Sequence, residues 1–162
     1  MNALASITIE QEKRLPSRSR WDGDIFRSRL IDKLAQVEAW AVDRLRAAQD
    51  GKKLPGTSGL RLGAVRKLTD THPDLFRKAA TAARLLDEIR IFQDMRSHLA
   101  HSKLTRTQAE DRSIWVFERA DSDPAVPWSG RLVIRECESC RIIKRVSDLA
   151  HQLSQQTPSS RT

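Results

Sequence analysis

Apolar residues recur at three- and four-residue steps from Phe26 through Leu30, Leu34, Val37, Ala41, Leu45 and Ala48. That spacing places one buried stripe on a helix. It predicts a helix of roughly seven turns from an N-cap at Asp22 or Asp24 to Asp50-Gly51. Trp40 lies beside the stripe and reads as core or interface packing. The segment Gly51 to Gly59, with Pro55 and Gly56, predicts a loop. Leu60, Leu62, Val65 and Leu68 then predict a short second helix with Arg61, Arg66 and Lys67 on its polar side. Thr71-His72-Pro73-Asp74 ends that helix and caps the next, which makes His72 an exposed loop residue.

From Leu75 to His101 the helical pattern runs without Gly or Pro, packing through Leu75, Ala79, Ala82, Leu85, Leu86, Ile89, Phe92 and Leu99. Thr105 to Arg112 is polar and is expected to be a connection. The β-branched and aromatic run Ile114-Trp115-Val116-Phe117 and the later Leu132-Val133-Ile134 predict two strands of a hairpin over 113–136, joined by the Pro-containing stretch Asp121 to Gly130. Two strands alone are marginal, so the pair is expected to lie on the helices or to pair across a dimer. A last helix, about Ser139 to Leu153, shows Ile142, Val146, Leu149 and Leu153 on one face and a basic ridge of Arg141, Lys144 and Arg145 beside it. The pattern therefore predicts a mainly α fold. It is a bundle of about four helices over 22–154 with the hairpin between the last two, an irregular arm at 1–21 and a disordered tail at 155–162.

Composition changes this picture in one respect. The 162 residues carry 39% apolar and 31% charged side chains, enough to bury a real core in a single domain. No stretch reaches the length of apolar residues that a membrane helix needs, and the first 20 residues lack the apolar run of a secretory signal. A cytoplasmic protein with no membrane partner is expected. The net charge is +8, and 21 of the 29 basic residues are arginine. Arginine grips phosphate through a planar fork and stacks on bases, which favours a polyanionic partner, nucleic acid first.

The candidate chemistry sits at the end of the longest helical pattern, in Arg96-Ser97-His98-Leu99-Ala100-His101. At about 100° per residue, with Arg96 at zero, Ala100 falls near 40°, Ser97 near 100°, His101 near 140° and His98 near 200°. Leu85, Phe92, Met95 and Leu99 gather between roughly 260° and 340°. Arg96 is thus expected at the edge of the apolar stripe and His101 well away from it, with only Ser97 and Ala100 between them. A guanidinium and an imidazole flanking small residues form a patch that a phosphate or another helix can approach. His98 is a candidate second site histidine or a solvent-facing one. Arg-x4-His spacing alone is weak in a chain with 21 arginines and 4 histidines.

These six residues resemble the Arg-Asn-x-x-Ala-His signature, more generally Arg-x4-6-His, of HEPN domains, the higher-eukaryote and prokaryote nucleotide-binding family. Ser97 departs from it, since Asn, Asp or His usually follows the arginine. The hairpin before the last helix is a second departure. The resemblance implies a homodimer with two motifs facing each other across a two-fold axis. It also implies metal-independent endoribonuclease activity of the toxin–antitoxin or antiphage kind, with Arg96 and His101 catalytic and Ser97 and His98 supporting. Arg141, Lys144 and Arg145 are the expected RNA-binding residues. No cofactor is implied, and an antitoxin or a nucleotidyltransferase is the implied protein partner. Because some members bind without cutting, a non-catalytic RNA- or nucleotide-binding subunit is the alternative, beside an unrelated basic helical nucleic-acid-binding protein. Control by tyrosine modification, found in some paired systems, cannot act on a chain with no tyrosine.

The remaining candidates are weaker. Cys137-Glu138-Ser139-Cys140 would need two further ligands to hold zinc, and only His151 is near in sequence. The two cysteines read as reduced thiols outside any disulfide framework. Asp87, Glu88 and Asp94 show no metal-ligand spacing and are expected to anchor arginines.

Overall fold

The computed structural model describes residues 18–48, 53–109, 112–120 and 130–158. Among them are helices α1 (Arg18–Ala48), α2 (Ser58–Thr71), α3 (Ala79–Ala100) and α4 (Glu136–Ser154), and strands β1 (Ser102–Ala109), β2 (Arg112–Arg119) and β3 (Arg131–Arg135). The protein is mainly helical, with a small antiparallel sheet in the order β1-β2-β3 between α3 and α4. Residues 1–17 of the expected arm and 159–162 of the expected tail lie outside the described residues, as does the stretch 121–129.

One apolar cluster joins all four helices to the sheet. The predicted stripe of α1 is its spine: Leu30, Leu34, Ala41 and Leu45 are fully buried. Val65 of α2, Leu85 and Ile89 of α3, and Val146, Leu149 and Leu153 of α4 close around it. The sheet contributes the face that its register puts together. Leu104 pairs with Phe117 and Trp115 with Ile134, and all four are buried. Val133, on the opposite face, is exposed. Phe26 stacks on Trp115 with ring centres 5.7 Å apart, and the Arg27 guanidinium lies 5.1 Å over the Phe117 ring. The start of α1 lies so close to the sheet that a Cβ on Gly23 would stand 2.8 Å from Leu104 Cδ2. Gly130 enters β3 at φ 67°, a left-handed conformation that glycine adopts freely.

Several boundaries differ from the sequence expectation, each for a physical reason. The polar segment 105–112 is mostly strand, not a connection: β1 pairs along β2 from Ser102↔Arg119 to Ala109↔Arg112. Backbone hydrogen bonds hold this edge strand, and Leu104 is its buried apolar anchor, so hydrophobic periodicity under-reports it. α3 begins at Ala79 rather than Leu75. Pro73–Leu75 forms a short 3-10 turn and Phe76 is extended. Tertiary contacts hold that break: Phe76 tilts against Trp40 at 6.2 Å, Arg44 donates to the Leu75 carbonyl, and the Arg77 amide donates to the Gln156 carbonyl. Asp22 and Asp24 lie inside α1, which starts at Arg18, and so do not cap it. α4 starts three residues early, where the Glu138 carboxylate accepts from the Arg135 amide. The tail expected from Gln155 begins packed, with Gln156 buried and Thr157 accepting a hydrogen bond from the Trp40 indole at 3.2 Å.

Candidate functional site

α3 ends abruptly. His101 is its C-cap (φ −112°, ψ 11°), with its amide donating to the His98 carbonyl, and β1 begins at the next residue. Ser102 Oγ donates to the same carbonyl at 2.5 Å, so the sharp passage from helix to strand satisfies an orphan carbonyl of the helix end. His101 therefore stands just past the helix, with an exposed side chain, and Ser97 and Ala100 are exposed beside it.

Arg96 is placed differently from the expectation. The buried residues of α3 are Ala82, Leu85, Leu86, Ile89, Gln93 and Leu99. On the wheel with Arg96 at zero they span about 300° through 0° to about 80°. The buried face is thus centred near Arg96, not to one side of it. Ala82, Leu86 and Ile89, expected on the packing face, bring it round toward Arg96, and the polar Gln93 packs inward with them, whereas Leu85, Phe92, Met95 and Leu99 alone marked a narrower stripe. Arg96 accordingly has a side chain 30% exposed and meets Glu38 of α1, Nη2 to Oε2 at 3.8 Å. The other Glu38 oxygen accepts from Arg61 Nη1 of α2 at 2.5 Å, and Arg61 Nε donates to the Pro55 carbonyl at 2.8 Å. One carboxylate thus bridges two guanidiniums from different helices. Arg96 Nε is buried without a hydrogen-bond partner among the described residues. Glu38 escaped the sequence reading. Its one available signal was its place directly after the inward-facing Val37, which turns it toward the neighbouring helices.

His98 is half buried, and its Nε2 lies 2.8 Å from the Phe117 carbonyl of β2. That bond ties the end of α3 to the sheet and gives His98 a positioning role. Within one protomer, then, Arg96 faces the bundle while His101 leaves the helix on a side about 140° away.

The basic ridge of α4 is only partly open. Arg141 and Lys144 are exposed, but Arg145 forms a close ion pair with Glu88 of α3, which Arg84 also approaches at 3.7 Å. Glu88 projects near 280°, about 140° from His101, so the ridge meets the far side of α3. On the other side, Arg66 of α2 holds Asp87 through Nε at 3.1 and 3.2 Å and Asp70 through Nη1 at 3.1 Å. The hydrogen bond to Asp87 raises the Arg66 pKa above its ordinary value.

Cys137 and Cys140 are free and exposed. Among the described residues no three His, Cys, Asp or Glu side chains come together as a metal-binding group, and no helix is long and apolar enough to cross a membrane. No family model, curated protein or solved structure matches the chain.

Proposed function

We propose that the protein acts on RNA as a metal-independent endoribonuclease of HEPN type, working as a homodimer through the end of α3. The observation that carries this reading is the exposed cluster Ser97, Ala100 and His101 at the helix-to-strand corner, on the same helix end that carries Arg96, ion-paired to Glu38 on the bundle side. RNA carries its own nucleophile. A neutral His101 imidazole accepts the 2′-OH proton, the 2′-oxygen bonds to phosphorus, and the bond from phosphorus to the 5′-oxygen breaks. The His101 imidazolium of the second copy then gives a proton to that 5′-oxygen. Arg96 supplies positive charge to the phosphate oxygens as it develops negative charge. The products carry 2′,3′-cyclic phosphate and 5′-OH ends.

The divergence of Arg96 and His101 within one protomer is the reason a second copy belongs in this reading. The small side chains of Ser97 and Ala100 permit a close helix-to-helix approach, and a two-fold axis there would set the Arg96 of one copy near the His101 of the other. A toxin–antitoxin or antiphage setting, with an antitoxin as partner, goes with the same reading. The test is incubation of purified protein with single-stranded RNA in EDTA, with mass spectrometry of the new ends. Cyclic phosphate termini are the expected result.

One observation favours a second reading. Glu38 neutralises part of the charge on Arg61 and Arg96, which suits a subunit that binds RNA or nucleotides without cutting them. Retained, salt-dependent RNA binding with no cleavage in any condition would select it.

A further inference from the structure

A groove of about 660 Å³ runs between α2 and α3, a size suited to a small organic ligand or one nucleotide. On its α2 wall, beside Leu60, Gly59 and Gly63 lie one helical turn apart, and a Cβ on either would meet nothing within 4 Å. Leu62 and Leu86 contribute apolar surface to it, and Lys67 and Arg90 are exposed on its rim. Neither of these two cations is ion-paired among the described residues. Asp87 is held by Arg66, which leaves Asp94 as the carboxylate on the groove without an ion pair among the described residues.

Gln93 makes this more than a stripe of small residues. It is only 8% exposed and lines the groove. Ser58 Oγ donates to its Oε1 at 3.3 Å, while Nε2 is buried with no acceptor. Turning the amide over would satisfy Nε2 and strand Oε1 instead, so one polar amide atom is unpaired in either orientation. A buried amide in that state has room for one more hydrogen bond, which a ligand with the matching group can make.

The groove opens on the same side of α3 as the site already described, its lining ending at Asp94, three residues before Ser97. Its α3 residues Leu86, Asp87, Arg90, Gln93 and Asp94 project between about 60° and 180°, the same strip as Ser97 near 100° and His101 near 140°. From Gln93 to His101 is a rise of about 12 Å. The α4 ridge, by contrast, meets α3 on the opposite side.

We infer that this groove is the base-binding subsite for single-stranded RNA, holding one nucleobase against Gln93 while Lys67 and Arg90 take the flanking phosphates. A nucleobase edge offers a donor and an acceptor together, and so can complete the Gln93 amide in either orientation. The flat apolar body of the base fits the space that the two glycines leave open. This inference rests on the reading of the protein as an RNA-acting one.

The experiment is fluorescence anisotropy of labelled single-stranded RNA homopolymers with the full chain carrying His101→Ala, so that binding is read without cleavage. Gln93→Leu and Gly63→Leu are added separately. The second fills open space on a helix and replaces a poor helix former, so it keeps the fold. Each should weaken binding of the preferred homopolymer at least about tenfold, the scale of one lost buried hydrogen-bond or packing interaction. An abasic ribose at one position should reproduce that loss in the parent and add nothing in Gly63→Leu. If both variants bind RNA as the parent does, the groove is not the subsite, although the RNA reading stands. If Gly63→Leu leaves RNA affinity alone but changes the sedimenting mass, the groove belongs to a second copy of the chain and the inference fails. If the parent binds no RNA, the inference and the reading beneath it fall together.

Discussion

Glu38 of α1 and Arg96 of α3 meet at 3.8 Å, with Arg61 of α2 on the other oxygen of the same carboxylate. Three helices thus converge on one charge in a region where all three side chains are less than one-third exposed. The pair draws the Arg96 guanidinium toward the bundle, and so links the packing of the bundle to any chemistry at the end of α3.

Removing that charge should be felt in stability first. Glu38→Gln leaves two guanidiniums close together without a counter-ion. The expected loss is about 1–2 kcal/mol, between the worth of an exposed ion pair and the cost of breaking a buried one. Urea unfolding followed by circular dichroism measures it. A variant as stable as wild type would show that solvent already screens the cluster.

The two histidines at the end of α3 should separate cleanly. His98 is bonded to the Phe117 carbonyl and His101 is exposed. His98→Ala should lower stability by about 0.5–1.5 kcal/mol, the net worth of one hydrogen bond, and change the RNA cleavage rate only a few-fold. His101→Ala should do the reverse: unfold at the wild-type midpoint and cut at least about a hundredfold more slowly. Parallel thermal melts and cleavage time courses distinguish them.

Phe117 is the residue on which the sheet is seated, fully buried between Phe26 and the Arg27 guanidinium. Phe117→Ala should destabilise by about 3–5 kcal/mol, the range for an aromatic truncated in a packed core. Calorimetry would show the lowered midpoint.

The α4 ridge should affect RNA binding without touching the site. Arg141 and Lys144 are unpaired among the described residues, while Arg145 is engaged by Glu88. Arg141→Glu and Lys144→Glu should weaken binding and flatten its salt dependence, by a slope of about 0.7 per lost phosphate contact for a single strand. Arg145→Glu should also lower stability, because it sets two carboxylates against each other. Titrations at several salt concentrations, with cut positions mapped in parallel, test both statements.

Much of the bundle was legible because helical burial writes a periodic signal. The α1 stripe from Phe26 to Leu45 is buried as its spacing requires, and Trp115, Phe117 and Ile134 line the inner face of the sheet. The edge strand β1 was illegible because its two apolar residues, Leu104 and the terminal Ala109, give no period, although β-branched Thr105 and Thr107 were a usable hint. The break before α3 was hidden because contacts of Leu75, Phe76 and Arg77 with Arg44, Trp40 and Gln156 enforce it, and those partners are remote in sequence. At the candidate site, His101 is exposed, as its place away from the apolar stripe suggested, but it stands past the helix end rather than on the helix. The inward direction of Arg96 was not legible, since it depends on Glu38, which lies 58 residues earlier in the chain, and on Gln93 packing as a core residue.

The central claim is that RNA's own 2′-oxygen attacks and that His101 moves the proton. The most direct measurement is cleavage, in EDTA, of one RNA against the same RNA carrying a single 2′-deoxyribose at the mapped cut site. The account predicts that the all-ribose strand is cut there, that the substituted strand is intact at that bond, and that neighbouring cuts continue. Cleavage of the 2′-deoxy bond at the rate of the ribose bond would contradict it.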